Sequence, residues 1–263
     1  MVHYLHKDAH VMNKLMSAAL ALLSLAVGST VLAQGIVIDH TSVMAVTNLS
    51  QATINQVAQF RWFFAHASVG DNMMSGVTTL HAQDTSRYPI QRSSDDGAPP
   101  SIPAAATIYD YARGNPDWSS KVSLFEDYAS NGWRSPAVNI ALNKFCWIDP
   151  FVDTNTYLAS MQTLEGQYSD TIFVYMTIPL TGYEDSENDA RNNFNRTLRH
   201  FCTTHNRVLF DVADIQSHDT NGTAYTYATS NQLMYIGFAV SEGDWHLNAV
   251  AQPWVARGFY ALG

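Results

Sequence analysis

The feature that most constrains this chain is a regular alternation of short apolar runs with longer segments of helical character. The clearest run is Thr171-Ile-Phe-Val-Tyr-Met-Thr-Ile178, β-branched and aromatic, closed by Pro179. Similar runs lie at Arg61–Ala65, Thr107–Tyr111, Val138–Ile148 and Arg207–Val212. Helices are expected between and after them, over Gln51–Phe60 with Ser50 as cap, Asp71–Leu80, Asp117–Tyr128, Thr154–Gln167, Asn188–His205 and Asn248–Leu262. Strands that alternate with helices imply βαβ units, and these build a parallel sheet covered on both faces. The stretch from Gln83 to Ala106, rich in Ser, Asp, Pro and Gly, reads as a long surface loop.

A chain of 263 residues with 46% hydrophobic side chains can bury a sizeable core, and its length suits one domain. With Lys plus Arg at 14 against Asp plus Glu at 23, the net charge is −9. Sequence-independent nucleic-acid binding needs clustered cations to displace phosphate counterions, so that class is excluded as an expectation. An anionic membrane surface is an equally poor partner.

The longest apolar run, Leu15 to Ala33, follows Lys14 and ends in Val31-Leu32-Ala33. A basic start, an apolar middle and small residues at the end are the pattern of a secretory leader. We therefore expect residues 1–33 to be a signal peptide, with residues 34–263 as one exported domain, periplasmic or extracellular. Met12-Asn13-Lys14 reads as a more natural start than Met1. The run is short for a membrane span of about 20 residues, so no membrane insertion is expected after cleavage. The two cysteines, Cys146 and Cys202, fall in the expected exported domain, the first in a strand and the second near a helix end. An oxidising compartment permits a disulfide between them; two free buried thiols suit the sequence as well.

Ligands bind open α/β sheets at the carboxyl ends of the strands, so residues just past each strand carry the interest. Ser68 stands in the first strand-to-helix turn, where helix N–H groups can stabilise an oxyanion; a capping serine would sit there too. In Ser241-Glu-Gly-Asp-Trp-His-Leu-Asn248, read as a loop, His246 is suited to be a general base oriented by a carboxylate. Arg113-Gly-Asn-Pro116 follows the next strand, with Gly114 allowing close backbone approach and Asn115 offering an amide; a plain turn would have the same composition.

Taken together, these blocks resemble the SGNH/GDSL hydrolases, and the resemblance spans nearly all of residues 34–263. Phe63-Phe-Ala-His-Ala-Ser-Val-Gly70 is similar to the serine block of a bacterial branch carrying His-x-Ser-x-Gly, and the residues around His246 are similar to the C-terminal Asp-x-x-His block. The resemblance implies a three-layer α/β/α sandwich, SGNH/flavodoxin-like, with a mostly parallel sheet. It implies a serine esterase needing no cofactor and no metal, with Ser68 as nucleophile, His246 as base, and the Ser68 and Gly114 N–H groups in the oxyanion hole. Two departures stand out. The family's Gly-x-Asn-Asp block is replaced by Lys144-Phe-Cys-Trp-Ile-Asp149, which leaves Asn115 as the substitute donor or the hole one donor short, a loss worth about 10²–10³ in rate. Position 243 is Gly where the family has its Asp, and Glu242 and Asp244 remain open as the acid.

Secondary residues complete the expectations. His66 lines the site or closes the strand end, and Trp245 is the candidate platform for a sugar ring; Trp118, Trp133 and Trp147 read as core. Asp39 and His40 form a possible metal pair but suit a surface loop better, and Asp211 and Asp214 suit backbone capping. The substrate expected is a small ester or an acylated polysaccharide, carbohydrate O-acetyl esters first. A lipid esterase of the lysophospholipase kind, or an inactive polysaccharide-binding relative, are the alternatives.

Overall fold

The computed structural model describes residues 35–93, 104–132 and 138–262. The expected leader and Trp133 lie outside them. No described helix is long and apolar enough to cross a membrane.

Seven strands form one sheet: β1 (Val37–Ile38), β2 (Arg61–His66), β3 (Gln91–Ser93), β4 (Thr107–Ala112), β5 (Ile140–Asn143), β6 (Ile172–Met176) and β7 (Val208–Phe210). Their order is β1-β7-β6-β5-β2-β4-β3, and every pairing is parallel. The α/β/α sandwich is therefore as expected. Successive strand residues point to opposite faces, so each strand feeds two cores. Trp62, Phe64, Ile108, Leu142, Val174 and Met176 face one layer, holding α1 (His40–Ala45), α2 (Gln51–Val57), α3 (Val69–Gln83), α7 (Val212–Gln216) and α8 (Ala251–Ala256). Phe63, Ala65, Ala141, Phe173 and Tyr175 face the other, holding α4 (Trp118–Asp127), α5 (Thr154–Gln167) and α6 (Ser186–Thr204).

The chain leaves β2 in one direction towards β4 and returns past it to β5. The crevice at the carboxyl ends of β2 and β5 is thus the switch point, where such sheets bind ligands. Outside the sheet, β8 (Thr226–Tyr227) pairs with β9 (Asn231–Gln232), and β10 (Ala239–Ser241) pairs with β11 (Asp244–Leu247), both antiparallel.

Several expected boundaries move. The α3 helix starts at Val69 rather than Asp71, because the Ser68 turn feeds it directly. The final helix spans only Ala251–Ala256, followed by a 3-10 turn over Arg257–Phe259. The expected loop 83–106 contributes β3, a short edge strand on β4. The largest change concerns Val138–Ile148: the strand ends at Asn143, and residues 144–149 turn across the carboxyl edge of the sheet. Cys146 is therefore in a loop, and both cysteines are free and buried. β1 was not expected; two residues are too few for any periodicity to register.

Candidate active site

Ser68 occupies the turn between β2 and α3 with φ 58 and ψ −112. Positive φ on a non-glycine residue costs about 1–3 kcal/mol and persists only where surrounding structure over-determines it. Here the determinants are plain. Ala67 O accepts from Gly70 N at 3.0 Å and Ser68 O accepts from Asp71 N at 2.8 Å. The turn lifts the Ser68 side chain clear of its helix, and its hydroxyl meets His246 Nε2 at 2.6 Å instead of capping α3.

His246 is on a strand, not a loop, so the residue two positions before it, not three, shares its face. Ser241 pairs with Asp244, so Glu242 and Gly243 form a tight connection between β10 and β11, and Gly243 supplies the φ of +85 it requires. Residues two apart on a strand share a face. Asp244 and His246 therefore project together, with Asp244 Oδ1 2.5 Å from His246 Nδ1 and accepting His246 N–H at 3.2 Å. Those hydrogen bonds from His246 hold the Asp244 carboxyl below its ordinary range. Between the two acids left open by the sequence, the imidazole is bonded to Asp244. Glu242 sits exposed in the connection and borders a cavity with Tyr225, Ile236 and Trp245. The hairpin is held in register by Asn72, one turn into α3, whose Oδ1 accepts Leu247 N–H at 3.1 Å. That anchor ties the histidine to the helix beginning at the serine, through a contact that no local sequence pattern announces.

The same strand alternation overturns Trp245 as a sugar platform. It faces away from His246, is 2% exposed, and packs against Gly182 and edge-on to Tyr183. His66 is likewise no substrate contact. It is fully buried, with Nε2 3.4 Å from Asp110 Oδ2 and its ring against Phe64. Burial pushes the His66 pKa down, more strongly than Asp110 and Asp71 raise it. Its ring fills the space beneath the first turn of α3, and a Cβ on Gly70 would come within 2.3 Å of His66 Cβ. That contact gives His-x-Ser-x-Gly a physical meaning: the histidine supports the turn and the glycine makes room for it. Gly70→Ala should cost about 1–3 kcal/mol as an overpacked core site, read as a fall in Tm by calorimetry.

Beyond β4, Arg113 N donates to His66 O at 3.0 Å, bringing Gly114 and Asn115 alongside the serine turn. Gly114 has φ +75. The Asn115 amide points at Cys146 Sγ, 3.8 Å away, and the Ser68 side chain helps to lower the pKa of that thiol. Gly114 and Asn115 thus follow directly on a residue bonded to the end of β2, the strand that leads into the Ser68 turn.

The segment Lys144–Asp149 supplies the rest of the surroundings. Lys144 is completely buried, donating from Nζ to Phe145 O at 2.8 Å and to Ala67 O at 3.3 Å. Burial brings its pKa down to about 8. Arg113, lowered to about 10 by burial, donates to Lys144 O at 2.5 Å. Asp149 pairs with buried Lys121 at 2.5 Å and accepts Cys146 N–H at 2.7 Å. Burial raises the Cys146 thiol, but Lys144 and Ser68 pull it net below its ordinary value. Trp147, read as core, is partly exposed and stands edge-on to His246 at 6.4 Å between ring centroids.

Asp39 and His40 do not form a metal pair. Asp39 caps α1 by accepting from Ser42 N at 2.9 Å, while His40 Nδ1 lies 2.5 Å from Asp214 Oδ1 and its ring stacks on His218 at 3.5 Å. The potential ligand atoms of His40, Asp214 and His218 fall within 4.8 Å of one another. Both Nδ1 atoms are engaged, that of His218 with Asp214 O at 2.8 Å, and rings only 8° from parallel do not converge on one ion. The cluster ties α1 to α7. Asp211 meets the capping expectation, accepting Asp214 N–H at 3.1 Å, and also binds Arg199 at 2.8 Å.

No family model matches the chain, and no curated protein does. Among solved structures it is similar to a protein from Desulfitobacterium hafniense DCB-2 provisionally named a lipolytic protein of the G-D-S-L family, at 8% identity and a TM-score of 0.46, covering 77% of this chain and 99% of that one. It is also similar to a protein from Streptococcus pneumonia provisionally named a platelet activating factor, at 14% identity and a TM-score of 0.42, covering 83% and 88%. Identities and scores this low describe a loose likeness of shape and carry no chemistry.

Proposed function

We propose that the protein is a serine ester hydrolase of the SGNH/GDSL kind. One observation carries this reading: the unbroken chain from Ser68 Oγ to His246 Nε2 at 2.6 Å and from His246 Nδ1 to Asp244 Oδ1 at 2.5 Å, built on a strained strand-to-helix turn. In this mechanism His246 takes the hydroxyl proton as Ser68 Oγ attacks the acyl carbon. Asp244 keeps the proton on Nδ1, so that Nε2 is free to accept, and stabilises the imidazolium that forms. The Ser68 and Gly114 N–H groups, with the Asn115 amide, receive the oxyanion. His246 then returns its proton to the leaving alcohol, and water repeats the sequence on the acyl-enzyme.

For substrate we propose a carbohydrate O-acetyl ester or a similar short-acyl ester met after export. Its supports are the apolar leader-like run before residue 34, the acidic chain, and the partly exposed Trp147 indole beside the base, which offers an apolar surface to a sugar. The test follows acetate release from an acetylated xylan beside hydrolysis of p-nitrophenyl esters of rising chain length. Faster turnover of acetyl than of longer acyl groups, with acetate freed from the polymer, is the expected result. A preference for long acyl chains would move the assignment to lipid esters.

A further inference from the structure

The lysine beneath the serine turn is at odds with ordinary stability economics. A buried ammonium is costly unless paired, and Lys144 has no carboxylate of its own. Among the described residues its Nζ bonds only to the carbonyl oxygens of Ala67 and Phe145. Its charged surroundings come from four elements: Arg113 after β4, Lys121 on α4, Cys146 and Asp149 in its own loop, and His66 at the end of β2. The one carboxylate among them, Asp149, is bonded to Lys121. The pocket under the serine therefore holds more cation than anion.

Ala67 O and Ser68 N–H belong to one peptide unit, and in a trans peptide they point in opposite directions. A donor drawing Ala67 O downwards aims Ser68 N–H upwards, and that N–H makes no hydrogen bond among the described residues. We propose that Lys144 is a positioning residue for ester hydrolysis: its ammonium holds the Ala67–Ser68 peptide so that the Ser68 N–H faces the developing oxyanion, and places positive charge behind it. This rests on the reading of Ser68 as nucleophile. It also explains how a chain lacking the family's third-block asparagine keeps a competent oxyanion site, because a fixed charge behind the remaining N–H donors compensates for the absent amide.

A structural lysine and a positioning lysine give opposite signatures. Replacing a buried unpaired charge by an apolar isostere relieves its desolvation, so Lys144→Met should raise Tm while lowering kcat about 10²-fold and leaving KM within about twofold. Lys144→Arg, which keeps a cation, should recover at least about a tenth of the kcat. The wild-type profile is a second readout. Lys144 loses its proton near pH 8, so kcat should fall about 10-fold between about pH 7 and about pH 10, and Lys144→Arg should lack that fall. Stability moves the other way: with the folded pKa at about 8 and the ordinary value at 10.5, the unfolded chain binds more protons in that window, and this group's contribution to stability rises with pH.

The experiment measures kcat and KM for p-nitrophenyl acetate, uncatalysed rate subtracted, against pH for wild type, Lys144→Met, Lys144→Arg and Ser68→Ala, with Tm for each. A folded Lys144→Met with wild-type kcat overturns the proposal, and so does a wild-type kcat that stays flat over the alkaline window, even if Lys144→Met fails to fold. If Ser68→Ala is inactive and Lys144→Met is unimpaired, only the lysine proposal falls. If Ser68→Ala still turns over, the hydrolase reading falls and takes this proposal with it.

Discussion

Ser68→Ala should reduce ester hydrolysis by about 10⁴-fold or more, to the level left by binding and the oxyanion donors alone. The loss should lie in kcat. Removing one oxygen leaves the turn, its hydrogen bonds and the His246–Asp244 pair in place, so substrate can still bind. The fold should be unaffected or slightly more stable. The strain at φ 58 belongs to the backbone and remains, but the alanine side chain makes no demand on His246. An unchanged Tm with lost turnover is the pattern expected of a nucleophile, and a lowered Tm would point to a structural serine.

The second large effect separates the two acids beside the histidine. Asp244→Asn should lower kcat by about 10²–10⁴, because an amide at this position lets His246 place its proton on the wrong nitrogen. Glu242→Gln should stay within about twofold of wild type, since that side chain lies in the β10–β11 connection and borders a different cavity. The pH dependence follows from the same bond. Asp244 is held below its ordinary pKa by His246; a lowered carboxyl keeps its charge further into acid and loses the linked stability only as pH falls through the folded value. Asp244→Asn should abolish that acid-side component. Steady-state kinetics on the two variants, measured together, tests the assignment.

Most of the fold was legible because buried parallel strands have to be continuously apolar and helices have to carry caps. Ser50 accepts Thr53 N–H at 3.1 Å, as its position before Gln51 suggested. What escaped the sequence was geometry within short segments. Val138–Ile148 is largely apolar, interrupted by Asn139, Asn143 and Lys144, yet only Ile140–Asn143 is strand; an apolar stretch that leaves the strand looks the same as one that extends it. Trp245 was misread because its neighbours were taken as a loop. Once Asp244–Leu247 is a strand, alternation sends the tryptophan inward and the acid and histidine outward. The signal was present in Asp-Trp-His-Leu, polar and apolar by turns, with Gly243 marking the connection. The roles of Asn72 and Lys144 depend on contacts between residues 175 and 77 positions apart, and no local pattern reports those.

The most direct test of the account is covalent capture of the nucleophile. The protein would be treated with a fluorophosphonate, which reacts with serines activated by a neighbouring base, and digested for peptide mass spectrometry. The account predicts one phosphonyl group on Ser68, loss of ester hydrolysis in step with labelling, and no label on Ser68→Ala. An active protein that loses turnover through a label elsewhere, or one in which Ser68 stays unmodified while the ester is consumed, would contradict it.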